Sequence, residues 1–253
     1  MSHHIVEVNE LHFSYPDGNK ALGGVSFRVT HGERLGVVGA NGAGKSTLLL
    51  HLNGTLVPES GTVRIGDFPL TKKTLPHVRR TVGMVFQDPD DQLFMPRVYD
   101  DVAFGPLNLG FPPEEVHDRV MKALATVGAD HLRDRPPYRL SAGEKRAVAI
   151  ATVLSMAPDI LVMDEPTSNL DPRARRRLIQ LLGTFDHTLI VATHDLDMVL
   201  DLCPRILVLK DGQAAAQGAA LQILQDEPLL HSCNLEKPLG LQACPVCSCR
   251  RTP

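Results

Sequence analysis

No apolar run in this chain approaches the roughly 18 residues that a membrane-crossing helix needs, so nothing in it reads as a bilayer span. The first residues, Met1-Ser-His-His-Ile-Val-Glu-Val8, lack the basic head and long apolar stretch of a secretory signal. Net charge is only −3, which leaves no global basic footprint for nucleic acid. Internal repeats, low-complexity tracts and long coiled coils are missing as well. These absences lead to the expectation of a cytosolic protein. Cysteine is scarce over most of the chain: Cys203 stands alone, and the other four fall between positions 233 and 249. A cytosolic address argues against disulfides and for metal or redox chemistry. What remains is an ordinary globular composition, 43% hydrophobic over 253 residues. That length allows one large domain, or a core with a subdomain.

The first segment reads as β-rich. Val6–Val8, Leu11–Phe13, Val25–Val29 and Thr62–Ile65 alternate or are short and β-branched, with turn signals at Pro16-Asp-Gly18, His31-Gly32 and Ser60-Gly61 between them. Val82–Phe86 is a further strand. From about Asp88 to Asp159 the pattern turns helical, with helices expected over Val98–Leu109, Pro113–Val127 and Ala142–Met156. Strands return at Ile160–Met163, Thr188–Ala192 and Arg205–Leu209. Their continuous apolar runs suit strands covered on both faces. This order predicts an α/β core with an inserted helical subdomain. The segment after about Asp226 fits neither part.

Gly39-Ala-Asn-Gly-Ala-Gly-Lys45-Ser46-Thr47 follows the apolar run Arg34–Gly39 and leads into Leu48–Leu52. Strand, glycine loop and helix in that order are the context that turns a G-x-x-x-x-G-K-[ST] match into a phosphate site. The glycines Gly39, Gly42 and Gly44 let backbone N–H groups approach phosphate oxygens, and a helix N-terminus favours negative charge. Lys45 can reach the outer phosphates, and Ser46 can hold Mg²⁺. A second motif, Ile160-Leu-Val-Met-Asp164-Glu165-Pro166, is an apolar strand ending in two carboxylates. At the C-terminal end of a central strand these sit near the phosphate loop. Asp164 can complete a Mg²⁺ shell and Glu165 can polarise a water. Pro166 is expected to hold Glu165 extended. A third motif, Leu140-Ser-Ala-Gly-Glu144, precedes a helix; its plain structural reading is a capping box between Ser141 and Glu144.

Together the three motifs, in this order, resemble an ABC-type ATPase over roughly residues 5–225. The resemblance implies a P-loop NTPase fold with an antiparallel β subdomain and a helical subdomain at about 89–159. It also implies ATP and Mg²⁺ as ligands. Tyr15 then resembles the aromatic residue that stacks on adenine. Asn41 and Thr47 join the nucleotide loop. Gln87 resembles the glutamine that meets Mg²⁺ and the attacking water. His194 resembles the switch histidine, and Ser168–Asp171 the loop that crosses between subunits. Asp171-Pro172 also reads as an N-cap followed by proline. Ser141 and Gly143 are implied to face the nucleotide of a second ATPase subunit, in a dimer expected to be of identical chains. Ala142 and Glu144 depart from the family's L-S-G-G-Q form. Ala142 is expected to be strained if its position needs positive φ.

Phe86-Gln-Asp-Pro-Asp-Asp-Gln92-Leu-Phe94, followed by Val98–Gly110, looks like the ATPase subunit of energy-coupling-factor importers, closest to the cobalt type. That resemblance implies peripheral placement on the cytoplasmic membrane face, beside an integral scaffold subunit and a substrate-binding subunit. Asp90, Asp91 and Gln92 would then meet basic groups of the partner, with Leu93 and Phe94 as apolar contacts; the alternative is a solvated acidic loop with two core residues. Small basic clusters at Val78–Arg80 and Arg173–Arg177 read as solvated faces, and no nucleic-acid partner is expected. Expected functions are, in order, import of cobalt or nickel ions, another ABC transport activity, and a soluble ABC ATPase acting on nucleic acid or ribosomes. Cys233, Cys244, Cys247 and Cys249 in the segment 226–253 suit zinc or another soft metal, thiol redox chemistry, or a disordered tail.

Overall fold

The structure, a computed structural model, describes residues 4–242. Among these residues ten strands are formed: β1 (His4–Ser14), β2 (Lys20–Thr30), β3 (Arg34–Val38), β4 (Ser60–Ile65), β5 (Phe68–Pro69), β6 (Val82–Val85), β7 (Ile160–Asp164), β8 (Thr188–Thr193), β9 (Arg205–Lys210) and β10 (Gln213–Ala219). Between them run α1 (Lys45–Leu52), α2 (Leu75–Thr81), α3 (Val98–Asn108), α4 (Pro113–Thr126), α5 (Ala142–Leu154), α6 (Pro172–Gly183), α7 (Leu196–Leu202), α8 (Ala220–Ile223) and α9 (Glu227–Ser232).

The strands make two sheets. One is antiparallel, in the order β2-β1-β4-β5; the other runs β10-β9-β3-β8-β7-β6. In the second sheet β9, β3, β8, β7 and β6 are mutually parallel, and β10 pairs antiparallel at the edge. The apolar runs of its central strands divide by the two-residue period of a strand. Leu161, Met163, Leu189, Val191, Ile206 and Val208 point into a core shared with α3–α7. Ile160, Val162, Ile190, Ala192, Leu207 and Leu209 point into a core shared with α1 and the antiparallel sheet. Two buried faces explain why the sequence shows unbroken apolar runs here rather than alternation.

Two details differ from the sequence expectation. Val6–Val8 and Leu11–Phe13 belong to one strand, β1, which slips register between Val8 and Leu11. Glu10 sits at φ +46° in that irregularity. Helix α3 runs through Pro106 as expected and ends at Asn108, with Leu109 N–H reaching the Gly105 carbonyl. The segment after Asp226 does not stand apart as far as Leu241. Asp226 caps α9 through the Leu229 N–H, and Leu230, Cys233 and Leu235 enter the helical-side core. The strap that follows is pinned to α7, because Asp197 accepts from the N–H groups of Leu239 (3.2 Å) and Gly240 (2.8 Å). Polarity misled the sequence reading: the segment supplies few apolar residues, but they are spaced to meet the core.

Candidate functional site

The parallel strands deliver β3 and β7 to one edge of the sheet, and the loop after β3 turns there into α1. Gly44 holds φ +98°, and a side chain on it would lie 2.6 Å from the Ala21 carbonyl oxygen. Only glycine fits such a place. A cleft of about 470 Å³ opens over this loop. The structure brings Tyr15, Asn41, Gly42, Gly44, Lys45, Ser46, Thr47, Gln87, Glu165 and His194 to its walls. Gly39 lies below, packed so close that a Cβ would meet the Leu209 carbonyl oxygen at 2.5 Å. The Tyr15 hydroxyl lies 3.1 Å from Thr47 Oγ1, and its ring packs edge-on against Phe13.

Lys45 is buried. Its ammonium donates to the carbonyls of Gly39 (2.8 Å) and Ala40 (3.1 Å) and lies 3.6 Å from Glu165 Oε1. Glu165 is held from three sides. Thr193 Oγ1 donates to Oε2 at 2.9 Å, the His194 N–H donates to Oε1 at 3.1 Å, and His194 Nδ1 lies 2.9 Å from Oε2. Its own N–H donates to the Ala192 carbonyl at 2.8 Å. The expectation that Pro166 keeps Glu165 extended is not met, since Glu165 adopts φ +43°. Proline disfavours the right-handed helical region before it, and the hydrogen bonds from β8 decide the rest.

Asp164 is buried next to Ser46, which donates to it. Burial pushes its carboxyl above the usual range and the charge of Glu165 adds to that. The Ser46 bond, Lys45 and Arg146 pull the other way without cancelling it. Among the described residues Asp164 Oδ1 has no hydrogen-bond partner. A buried carboxylate oxygen left free beside a serine hydroxyl fits a hard divalent cation with oxygen ligands, such as Mg²⁺.

Ser141 and Gly143 are not in this cleft. They open α5, where the capping box forms in full: the Ser141 N–H donates to Glu144 at 2.8 Å and the Glu144 N–H donates to Ser141 Oγ at 3.4 Å. These bonds, with burial opposing, hold the Glu144 carboxyl below its ordinary range. Ala142 takes no positive φ, so the strain expected there is absent. Asp171 caps α6 through the N–H groups of Arg173 and Ala174.

The expected partner-binding segment divides. Phe94 is 62% exposed and stacks edge-on against Phe104 at 5.0 Å, and Asp91 is exposed. Asp90 is exposed but paired with Lys145 at 2.8 Å. Gln92 and Leu93 turn inward instead. Leu93 joins the core, and Gln92 bonds to Phe86, Ala149 and Thr152. A short 3-10 turn, Pro89–Asp91, rotates the two side chains away from solvent.

Sequence reading missed two residues. Asp195 accepts from both Nε (2.7 Å) and Nη2 (2.8 Å) of Arg175, from Thr167, and from the Met198 N–H that starts α7. Arg146 is buried and donates to the carbonyls of Phe86 and Gln87. An arginine set among the apolar residues of α5 was the available signal. Cys233, proposed with the tail cysteines as a ligand, is buried in the core. Cys244, Cys247 and Cys249 lie outside the described residues. Among the described residues no group of three or more His, Cys, Asp or Glu is arranged to hold a metal ion. No helix among them is long and apolar enough to cross a membrane.

A glycine loop below a strand end, a buried carboxylate pair and a histidine facing the second carboxylate define a P-loop ATPase cassette. Comparison with known proteins narrows the class. The family model described as ABC transporter matches residues 22–168. A putative ABC transporter ATP-binding protein of Geobacter sulfurreducens is 66% identical over 247 residues, covering 98% of this chain and 99% of its own. The energy-coupling factor transporter ATP-binding protein EcfA of Methanocaldococcus jannaschii is 46% identical over 240 residues, 93% of this chain and 86% of its own. Among solved structures, cbiO1 from Clostridium perfringens, described as part of the ABC transporter complex cbiONQ, matches with a TM-score of 0.80. It is 39% identical, over 92% of this chain and 95% of its own. The chain belongs to the ABC transporter family, as an ATPase cassette that couples ATP hydrolysis to transport.

Proposed function

We propose that this chain is the ATP-hydrolysing subunit of an energy-coupling-factor importer, and that the cargo is a transition-metal ion, cobalt or nickel, carried by separate membrane subunits. The observation that carries the ATPase reading is the fixed placement of Glu165, between Lys45 and His194 and at the wall of the cleft. In this reading Tyr15 stacks on adenine, and Lys45 with the N–H groups of Asn41–Thr47 holds the phosphates. Ser46, Asp164 and Gln87 would hold Mg²⁺, which when bound neutralises charge on the phosphate oxygens. Glu165 polarises the attacking water and His194 steadies both the γ-phosphate and Glu165. Ser141 and Gly143 face the nucleotide of a second, identical subunit; their place outside their own cleft supports this.

The exposed Phe94–Phe104 pair, flanked by Asp90 and Asp91, supports contact with an apolar, basic surface of a membrane subunit on the cytoplasmic face. The likeness to EcfA favours the energy-coupling-factor class, the likeness to cbiO1 favours work within a multi-subunit transporter, and the metal cargo rests on the resemblance of Phe86–Gly110 to the cobalt type. Mass spectrometry of proteins co-purifying from gently solubilised native membranes tests the assignment. The expected partners are a small integral scaffold and a metal-binding membrane subunit. A different permease would discard the cobalt-or-nickel cargo, and DNA or ribosomal proteins in place of any membrane partner would overturn the transport reading.

A further inference from the structure

Helix α5 carries two things on one rigid element. Its first turn begins at Ser141 and includes Gly143. Two residues past Glu144, Arg146 is only 3% exposed and reaches a different part of the chain. Its Nη1 donates to the Phe86 carbonyl at 2.7 Å and its Nη2 to the Gln87 carbonyl at 2.6 Å. Gln92 grips the same segment. Its Oε1 accepts from the Phe86 N–H at 3.2 Å, while its Nε2 donates back to α5, to the Ala149 carbonyl at 2.8 Å and Thr152 Oγ1 at 2.6 Å. Lys145 adds an ion pair to Asp90. The backbone that carries Gln87 is thus fastened to α5 at several points.

The energetics set Arg146 apart from an ordinary core residue. Among the described residues no carboxylate touches the guanidinium, though Asp88 and Asp164 act on it from farther off; it is buried against two neutral carbonyls, and its Nε has no acceptor. Burying a charge on those terms is costly. A planar fork reaches the two carbonyls from two separate nitrogens held in one fixed plane, a geometry that a single ammonium nitrogen does not reproduce.

We propose that Arg146 is a positioning residue for Gln87: it locks the Phe86–Gln87 backbone to the helix whose first turn presents Ser141, so that both move as one body. The idea rests on the ATPase reading above. It makes Gln87 of one cleft answer to the nucleotide of the other, because α5 lies between them.

The test is a double-mutant cycle in ATP hydrolysis by the purified full-length chain, using Arg146→Lys, Gln87→Ala and the double variant. Arg146→Lys keeps the charge and loses the fork. Its kcat is expected to fall roughly 10- to 100-fold, with KM for MgATP within about twofold of the parent. Its thermal midpoint is expected to stay within about 5 °C. In the Gln87→Ala background the same change should cost nothing further, because the two residues act as a unit. A loss that multiplies the Gln87→Ala loss, or an unchanged kcat in folded Arg146→Lys, would overturn the proposal. Should Arg146→Lys fail to fold, Gln92→Met enters the same cycle under the same two criteria. Absence of hydrolysis by the parent chain would instead remove the ATPase reading, a failure distinct from additivity.

Discussion

Lys45 and Glu165 face each other across 3.6 Å, both side chains buried, where β3 and β7 end on the same edge of the sheet. Opposite charges this close hold each other in place, and the anionic member also faces the region that a γ-phosphate would enter. Glu165→Gln removes the base and the negative charge together while keeping the shape. Turnover is expected to fall at least ~10²-fold, while ATP binds as well as before or more tightly. Steady-state kcat and equilibrium binding of ATP check the two halves separately; near-normal turnover would take Glu165 out of its role.

Lys45→Ala deletes the buried ammonium that the loop itself carries. Charge-assisted hydrogen bonds contribute about 1.5–3 kcal/mol each, so ATP affinity should drop about 10- to 100-fold. Titration of a fluorescent ATP analogue reads this directly, and an unchanged Kd would count against the phosphate-loop assignment.

The loop glycines make a contrasting pair. Gly42 sits at φ +80° with open space around it, and Gly44 at φ +98° against the Ala21 carbonyl. Gly42→Ala should cost only the conformational term, roughly 1–2 kcal/mol of stability. Gly44→Ala must also move backbone, and is expected to weaken ATP binding by about 10-fold or more. Thermal melts with and without nucleotide separate the two effects.

How much of this was legible beforehand follows from what kind of signal each part leaves. The loop at Lys45 and the pair Asp164-Glu165 are local: strand, turn chemistry and function lie in consecutive residues, so the sequence displays them whole. Arg175 and Asp195 meet across 20 positions, and Arg146 meets Phe86 across 60; neither contact has a local pattern to read. Gln92 and Leu93 were misplaced because a single 3-10 turn reverses which side chains face solvent. Glu165 was misplaced because its backbone is set by hydrogen bonds from a neighbouring strand and not by the proline beside it.

Asp195 gives a pH prediction. Burial alone would raise its carboxyl, but the Arg175 fork and the Met198 and Thr167 bonds outweigh burial and leave it below the usual range. A depressed carboxylate stabilises the fold above its unfolded pKa of about 3.9, and that contribution is lost as pH falls from there through the folded value. Asp195→Asn should therefore lower stability at neutral pH by about 1–3 kcal/mol and flatten the acid limb of the profile. Urea midpoints measured from pH 7 down to about pH 3 test both the size and the slope.

Burial pushes the Cys203 thiol up to about 12, and Cys233 is likewise inside the core. Neither should react with iodoacetamide at pH 8 in the native protein, and both should react in denaturant. Peptide mapping by mass spectrometry decides it. Native labelling of Cys233 would show that the start of the C-terminal segment opens readily, and would restore it as a candidate metal ligand.

Strand β3 is hydrogen-bonded to β8 and β9, whose residues begin at Thr188 and end at Lys210. The strand that feeds the phosphate loop is complete at Val38, yet neither neighbour is complete until Thr193 and Lys210 have been added. Until then the loop is an unsupported turn, with its hydrophobic strand exposed. Nascent chains stalled before Thr188 should not retain ATP, however complete their glycine motif. The most recognisable nine residues of the sequence acquire their chemistry only from strands made long after them.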